Sequence, residues 1–171
     1  MVSCLIRAEC SNANNHNPAE SSRQYSSVHG SGYKASQLDS SRAWCAKQNQ
    51  AGEWMQIDAD EPLFVGGVIT QGRLDKYDQW VTEYQVQTSN DGSSWDTIGT
   101  FSGNSDRNTK VKHMFAKPVA AKSVRFVVNK WKSHISMRAA LVVCAGWFPR
   151  PLARCRSRSL LSVPTGLLLK I

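Results

Sequence analysis

Several common functions find little support in this chain. No two of its five cysteines (Cys4, Cys10, Cys45, Cys144 and Cys155) stand at CxxC spacing and none joins a histidine at metal-ligand spacing, which argues against a zinc site. No apolar run approaches the roughly 20 residues of a membrane helix; the most apolar stretch, residues 160–171, is broken by Pro164 and Gly166. Residues 1–10 contain Arg7 and Glu9 and no continuous apolar segment, so no signal peptide is expected there. Before residue 145 nothing sustains apolar spacing at three and four residues, so helix is expected to be minor. Paired carboxylates, a nucleophile elbow and a metal cluster are all missing, and the chain does not read as an enzyme.

What is present describes a folded module. The 171 residues suit one domain and leave ample chain for a core. Hydrophobic residues at 41%, charged residues at 20% and six tryptophans set it apart from disordered chains. A net charge of +8 raises the question of nucleic acid, but five of the 21 basic residues (Arg150, Arg154, Arg156, Arg158 and Lys170) follow Cys144 with no acid among them. That leaves 16 basic against 13 acidic groups in the first 144 residues, mixed in sign along the chain. Phosphate binding needs clustered cations along a groove, so no nucleic-acid partner is expected. Residues 145–171, with Pro149, Pro151 and Pro164, read as a basic, disordered tail behind the domain; an anchor for a membrane surface or acidic partner is the competing reading. Two cysteines near the start and one near the end of the domain suit a disulfide tying terminal strands in an oxidising compartment, with buried free thiols as the alternative.

Residues 11–43 are rich in Ser, Asn, Gly and Gln and read as loops. Period-two runs begin at Trp54-Met55-Gln56-Ile57-Asp58 and resume over residues 64–70. Across residues 80–88, Trp80, Thr82, Tyr84, Val86 and Thr88 are expected on one face, with Glu83, Gln85 and Gln87 on the other. Asn90-Asp91-Gly92 supplies a turn before a return strand over residues 95–101. Val111, His113 and Phe115 alternate with Lys110 and Lys112, Val124, Phe126 and Val128 alternate with Arg125, and residues 135–144 read as an apolar closing strand. The class is all-β, a sandwich or barrel. Trp54, Trp80 and Trp95 fall in strand patterns or turns and are expected in the core, and His113 is expected to be a partly buried strand residue.

A series of motifs then carries a family resemblance. They are Gln71-Gly72-Arg73, Asp78-Gln79-Trp80-Val81-Thr82-Glu83-Tyr84, Ser89-Asn90-Asp91-Gly92-Ser93-Ser94-Trp95 and Asp106-Arg107-Asn108-Thr109, followed by Lys117-Pro118-Val119, Val124-Arg125-Phe126, and Trp131 with His134-Ile135-Ser136-Met137-Arg138. Over residues 10–144 the chain resembles the discoidin, or coagulation factor V/VIII C-type, domains, and within them the N-terminal domain of galactose-binding discoidin lectins. The resemblance implies an eight-stranded antiparallel jelly-roll β-sandwich of the galactose-binding-like type. Residues 1–9 would be an N-terminal segment, and the ligand site would lie in loops at one end. It also implies a non-catalytic lectin for galactose or N-acetylgalactosamine, extracellular or at the cell surface, recognising glycans or glycoproteins in cell adhesion. Modules that bind anionic membrane lipids or protein partners are the alternatives. For the terminal disulfide, Cys10 with Cys144 matches the family distance better than Cys4 does.

Site residues follow from sugar chemistry. A galactose ring offers an apolar C–H face to an aromatic plane and vicinal hydroxyls to fixed donors and acceptors. Arg73 can donate two parallel hydrogen bonds, Asp39 can accept from two hydroxyls, and His134 can do either. Trp44, Tyr77 and Trp131 are candidate stacking planes, with core packing as the other reading of the two tryptophans. Arg73 also has Asp75 and Asp78 as possible ion-pair partners on its own loop. For Arg138, within the closing strand, the resemblance implies a structural part, as the family arginine there commonly has. Arg73-Leu74-Asp75 stands where the lectins carry Arg-Gly-Asp, so integrin-type adhesion is not implied. Arg138-Ala139-Ala140 lacks the glutamate that calcium-binding relatives use; no cofactor is required, and calcium is left open. The tail does not resemble the lectins' second domain, which leaves the oligomeric state open.

Overall fold

The computed structural model describes residue 10 and residues 12–144; the expectations for residues 1–9 and for the tail at 145–171 lie outside them. Eight strands follow in order: β1 (Ala13–His16), β2 (Arg23–Tyr25), β3 (Trp44–Cys45), β4 (Trp54–Gln71), β5 (Trp80–Ser89), β6 (Asp96–Ser102), β7 (Val111–Lys132) and β8 (Ser136–Cys144). Their pairings are antiparallel, in the order β1-β8-β4-β7-β5-β6, with β2 added to β4 and β3 to β8. Among the described residues helix is limited to two short 3-10 turns, Glu20–Ser22 and Ser31–Tyr33. The expected all-β, eight-stranded fold is the one the chain adopts.

β4 and β7 are long because each serves both layers of the sandwich. Residues 54–58 of β4 lie between β2 and the second half of β7, which in turn pairs with β5. Residues 63–71 lie between the first half of β7 and β8. A register shift between Asp58 and Leu63 marks the bend, at a segment with three acids and Pro62, a composition suited to an exposed, poorly paired corner. The period-two runs at 54–58 and 64–70 are thus one bent strand. Between the layers, Met55, Ile57, Val86 and Phe126 from one side meet Val68, Phe115, Met137 and Leu141 from the other in a single cluster. The outer face of β8 is covered as well: Ala140 and Val142 pack with Leu38 and Ile69, which explains an unbroken apolar run there.

Two expectations about strand faces are corrected. In β5, Tyr84, Val86 and Thr88 are buried as expected, but at the start of the strand it is Val81 that is buried while Trp80 and Thr82 are only half-buried. Register shifts against β7 between Val81 and Tyr84 insert the extra residue that flips the phase. Trp54, Trp80 and Trp95 are also half-buried rather than core. Trp54 and Trp95 instead clamp the Arg125 guanidinium from two sides, 3.9 and 3.8 Å from their ring centroids, and Arg125 donates to Gln56 Oε1. His113 is half-buried in β7, as expected.

At the end of the sandwich where β1 pairs with the last residues of β8, Cys10 and Cys144 form a disulfide with a Cα–Cα distance of 5.2 Å. A Cβ at Gly66 would stand 2.5 Å from Cys144 Sγ and 3.0 Å from Cys10 Sγ, so glycine is what leaves room for the bridge. The opposite end of the sandwich gathers the loops that precede β3, join β4 to β5, join β6 to β7 and join β7 to β8.

Candidate ligand-binding cleft

Arg138 organises this loop end, and it does so from within β8, with no exposed surface. Its Nε donates to Gly72 O at 2.7 Å, one terminal nitrogen donates to Ser40 O at 2.9 Å, and the other donates to Arg107 O and Asn108 Oδ1 at 3.0 Å each. One side chain thereby holds three loops distant in sequence, the structural part expected of it. The loop before β7 is shaped by Asp106, whose carboxylate accepts from the Asn108 and Thr109 amides at 2.8 and 2.7 Å. A hydrogen bond from the Thr109 side chain first, and then these two amide bonds, hold its carboxyl below the usual range.

Between the loops lies a cleft of about 190 Å³, lined by His29, Tyr33, Cys45, Arg73, Tyr77, Gln79 and His134. Arg73 is buried, with its guanidinium 5.3 Å from the Tyr33 ring centroid and 4.5 Å from that of Tyr77. Its Nε and one terminal nitrogen each lie 2.6 Å from Asp75 Oδ2, and the other terminal nitrogen donates to Gln79 Oε1 at 2.8 Å and to Cys45 Sγ at 3.5 Å. Burial alone would lower the Arg73 pKa, but the Asp75 carboxylate raises it above its ordinary value, and the group is a fixed cation. The loop is closed by Arg73 N donating to Gln79 O and Gln79 N donating to Tyr77 O. On the other wall, His134 follows Ser133, a left-handed residue at φ 59°, and its Nδ1 lies 3.1 Å from Ile135 O. A carbonyl only accepts, so Nδ1 is the donor in this contact, and in the neutral ring Nε2 is then free to accept. The His29 ring meets His134 and Tyr33 edge-on, at 5.6 and 5.2 Å between centroids. Cys45, the free cysteine of the described residues, is buried; burial pushes its thiol up, only partly opposed by Ser136 and Arg73.

Of the six residues expected in the site, the structure brings together Arg73, Tyr77 and His134. Asp39 stands apart, in left-handed conformation at φ 64°, with its carboxylate 2.6 Å from Lys110 Nζ and accepting from Gln71 Nε2. The Lys110 hydrogen bond is the main reason its carboxyl sits below the usual range. Trp44 is corrected outright: β3 is enclosed by β8, its indole is fully buried, Nε1 donates to Ser27 O at 2.8 Å, and the ring stacks on Tyr25. No face is open to a sugar. Trp131 is half-buried, opposite Val81 in the β5–β7 ladder and packed against the core, outside the cleft lining. His29, Tyr33 and Gln79 were missed. The aromatic pair flanking a Gly-Ser-Gly turn, His29-Gly30-Ser31-Gly32-Tyr33, was the available signal.

Among the described residues no group of three or more His, Cys, Asp or Glu side chains is placed to hold a metal ion. Asp39, Asp75 and Asp106 are each already engaged as above. Chemically, the cleft offers an exposed aromatic face, one imidazole acceptor and a fixed cation.

A model of the F5/8 type C domain matches residues 18–141. The chain belongs to that family. Lactadherin of Rattus norvegicus is 38% identical over 109 residues, which is 60% of this chain and 26% of lactadherin. The chain therefore spans about a quarter of that protein's length. Among solved structures, wild-type discoidin II of Dictyostelium discoideum superposes with a TM-score of 0.65 at 25% identity, covering 71% of this chain and 54% of discoidin II. A CBM32 module of Clostridium perfringens, solved in complex with GalNAc-β-1,3-galactose, shares the F5/8 type C fold at a TM-score of 0.61 and 16% identity, covering 77% of this chain and 100% of the module.

Proposed function

We propose that this F5/8 type C domain is a carbohydrate-binding module that takes one galactose or N-acetylgalactosamine ring in the Arg73–Tyr77–His134 cleft. The observation that carries the reading is a partly exposed aromatic ring, Tyr77 at 45% exposure, beside fixed polar groups in a cleft of about 190 Å³. That volume lies below the range of drug-sized pockets and suits a single small ring. Tyr77 supplies the plane for the C–H face and His134 Nε2 an acceptor for a hydroxyl. Of the five guanidinium N–H groups, Asp75 takes two, Gln79 one and Cys45 one, which leaves one for Tyr33 or a ligand. The Cys10–Cys144 disulfide supports an extracellular or cell-surface setting, where such bonds persist. Cell-surface glycans or glycoproteins are the partners in this reading, in adhesion or glycan recognition. No cofactor takes part in it, and no catalytic step.

A calorimetric titration of the full chain tests this. Galactose saturates the protein with a dissociation constant on the order of 1 mM, as a single small site gives, with or without a calcium chelator. Glucose gives no heat, and Arg73→Ala and Tyr77→Ala abolish the galactose signal. Silence with every sugar at tens of millimolar ends the reading.

A second reading has its own observation. Leu74 and Tyr77, 40% and 45% exposed, flank Lys76 at one loop tip, a shape suited to the surface of an anionic bilayer. The two acids beside them are paired, Asp75 with Arg73 and Asp78 with Arg107 at 3.4 Å, which removes the objection their charge raises. Sedimentation with phosphatidylserine vesicles, lost in Leu74→Asp, checks it.

A further inference from the structure

We infer that the sugar taken by the cleft is anionic, a hexose bearing a sulfate or a carboxylate, a step that rests on the carbohydrate reading above. The first ground is the balance of charge at the loop end. Every acid there has a partner: Asp75 binds Arg73, Asp78 binds Arg107, Asp39 binds Lys110, Asp106 accepts from its own loop amides, and Glu53 accepts from Ser26 and Ser27. Five cations do not. Lys34, Arg42, Lys47, Lys76 and Lys132 are exposed and, among the described residues, none is within ion-pair distance of a carboxylate.

Each of the five is tied to the cleft wall. Lys34 follows Tyr33, Lys76 precedes Tyr77 with its Nζ 5.4 Å from that ring's centroid, and Lys47 and Lys132 stand two residues from Cys45 and His134. Arg42 donates to Gly32 O, beside Tyr33. Asp58, Asp60 and Glu61, in contrast, sit at the far end, where β4 bends toward the disulfide. Lys117 and Lys122 share that far end with these acids, whereas the five cations at the loop end surround the cleft with no free acid among them. A concave site ringed by one sign of charge concentrates ligands of the other sign.

The second ground is hydrogen-bond stoichiometry. No carboxylate lines the cleft, and Gln79 Oε1 already accepts from Arg73 at 2.8 Å and Ser136 Oγ at 3.4 Å. Donors outnumber acceptors at this cleft, so exchanging one hydroxyl, which both donates and accepts, for a sulfate or carboxylate, which only accepts, suits its lining and the cations around it better. A membrane fits these facts less well, because Leu74 and Tyr77 are the large apolar side chains exposed at this end and the cations surround a cleft.

The test titrates the full chain with galactose, galactose 6-sulfate and galacturonate at low salt and in 0.5 M sodium chloride. The same titrations use a variant carrying Lys34→Gln, Lys76→Gln and Lys132→Gln, all surface positions, checked for an unchanged melting temperature. The anionic sugars are expected to bind about tenfold more tightly than galactose at low salt, the gain of one charge-assisted contact. High salt and the triple variant remove that advantage and leave galactose affinity unchanged. Equal affinities, or an advantage that survives the triple variant, overturn the inference and leave the carbohydrate reading standing. Silence with all three sugars overturns both, and vesicles of phosphatidylserine that bind where the anionic sugars do not assign the cations to a membrane and overturn the inference.

Discussion

Opening the Cys10–Cys144 bond, by reductant or by Cys144→Ser, removes a cross-link between residues 134 apart in sequence. In the chain-entropy model a closed loop of that length confines the unfolded chain by about 5 kcal/mol at 25 °C. Little native contact is lost with it, since β1 and β8 keep four paired residues beside the bridge, Ala13 with Cys144 through His16 with Leu141. A domain of this size holds roughly 5–15 kcal/mol in all, so the reduced protein sits near the lower edge of stability. Urea unfolding of the oxidised, reduced and Cys144→Ser proteins should show a loss of roughly 3–5 kcal/mol, the same for the last two, and a melting temperature lower by on the order of 15 °C. The oxidised protein should also show the shallower urea dependence, because its unfolded state is more compact. A loss below about 1 kcal/mol refutes the entropic argument. Peptide mapping that joins Cys10 to a cysteine other than Cys144 refutes the pairing itself.

Arg138→Met strips the donor from Gly72, Ser40, Arg107 and Asn108 at once; it should cost at least about 3 kcal/mol in urea unfolding, since several buried neutral acceptors lose their donor at about 1–3 kcal/mol each, and weaken sugar binding because Gly72 leads into Arg73. Unaltered sugar affinity at normal stability would remove Arg138 from the construction of the cleft. Asp91 accepts from the Ser94 and Ser93 amides and from Ser89 Oγ, bonds that hold its carboxyl well below the usual range. A depressed folded pKa means its stabilisation is complete above the unfolded value of about 4 and disappears as pH falls through the folded one. Asp91→Asn should therefore lower the urea midpoint at pH 7 and converge with wild type as pH falls below about 4; a gap constant in pH would contradict this.

How much of this was legible beforehand depended on distance along the chain. Local patterns were readable: the alternation from Tyr84 to Thr88 in β5, and the unbroken apolar run of residues 135–144 that marks β8 as a strand covered on both faces. The bulge near Thr82 was not, because it is set by the partner strand. Nor was the continuity of β4 through its acidic corner. In the cleft, Arg73 and Tyr77 share one short loop, and His134 stood out in a polar one. Asp39 could not be placed, since its partner Lys110 lies 71 residues away, and Trp44 could not be assigned to the core, because a two-residue strand leaves no period to read. The ring of five unpaired cations around the cleft had no trace in a sequence where the signs alternate.

The bent strands β4 and β7 carry a consequence for how the domain comes into being. Because each belongs to both layers, neither sheet can form or dissolve alone, and unfolding should be a single cooperative event. The pairings that count are remote: Trp54 with Val127, and Ala13 with Cys144. Topologies of this kind fold slowly. During synthesis the loops around residues 40, 72 and 107 wait for Arg138 on the last strand before they are fixed. Binding competence is thus acquired last, and any ligand of the cleft selects finished molecules over partly folded ones.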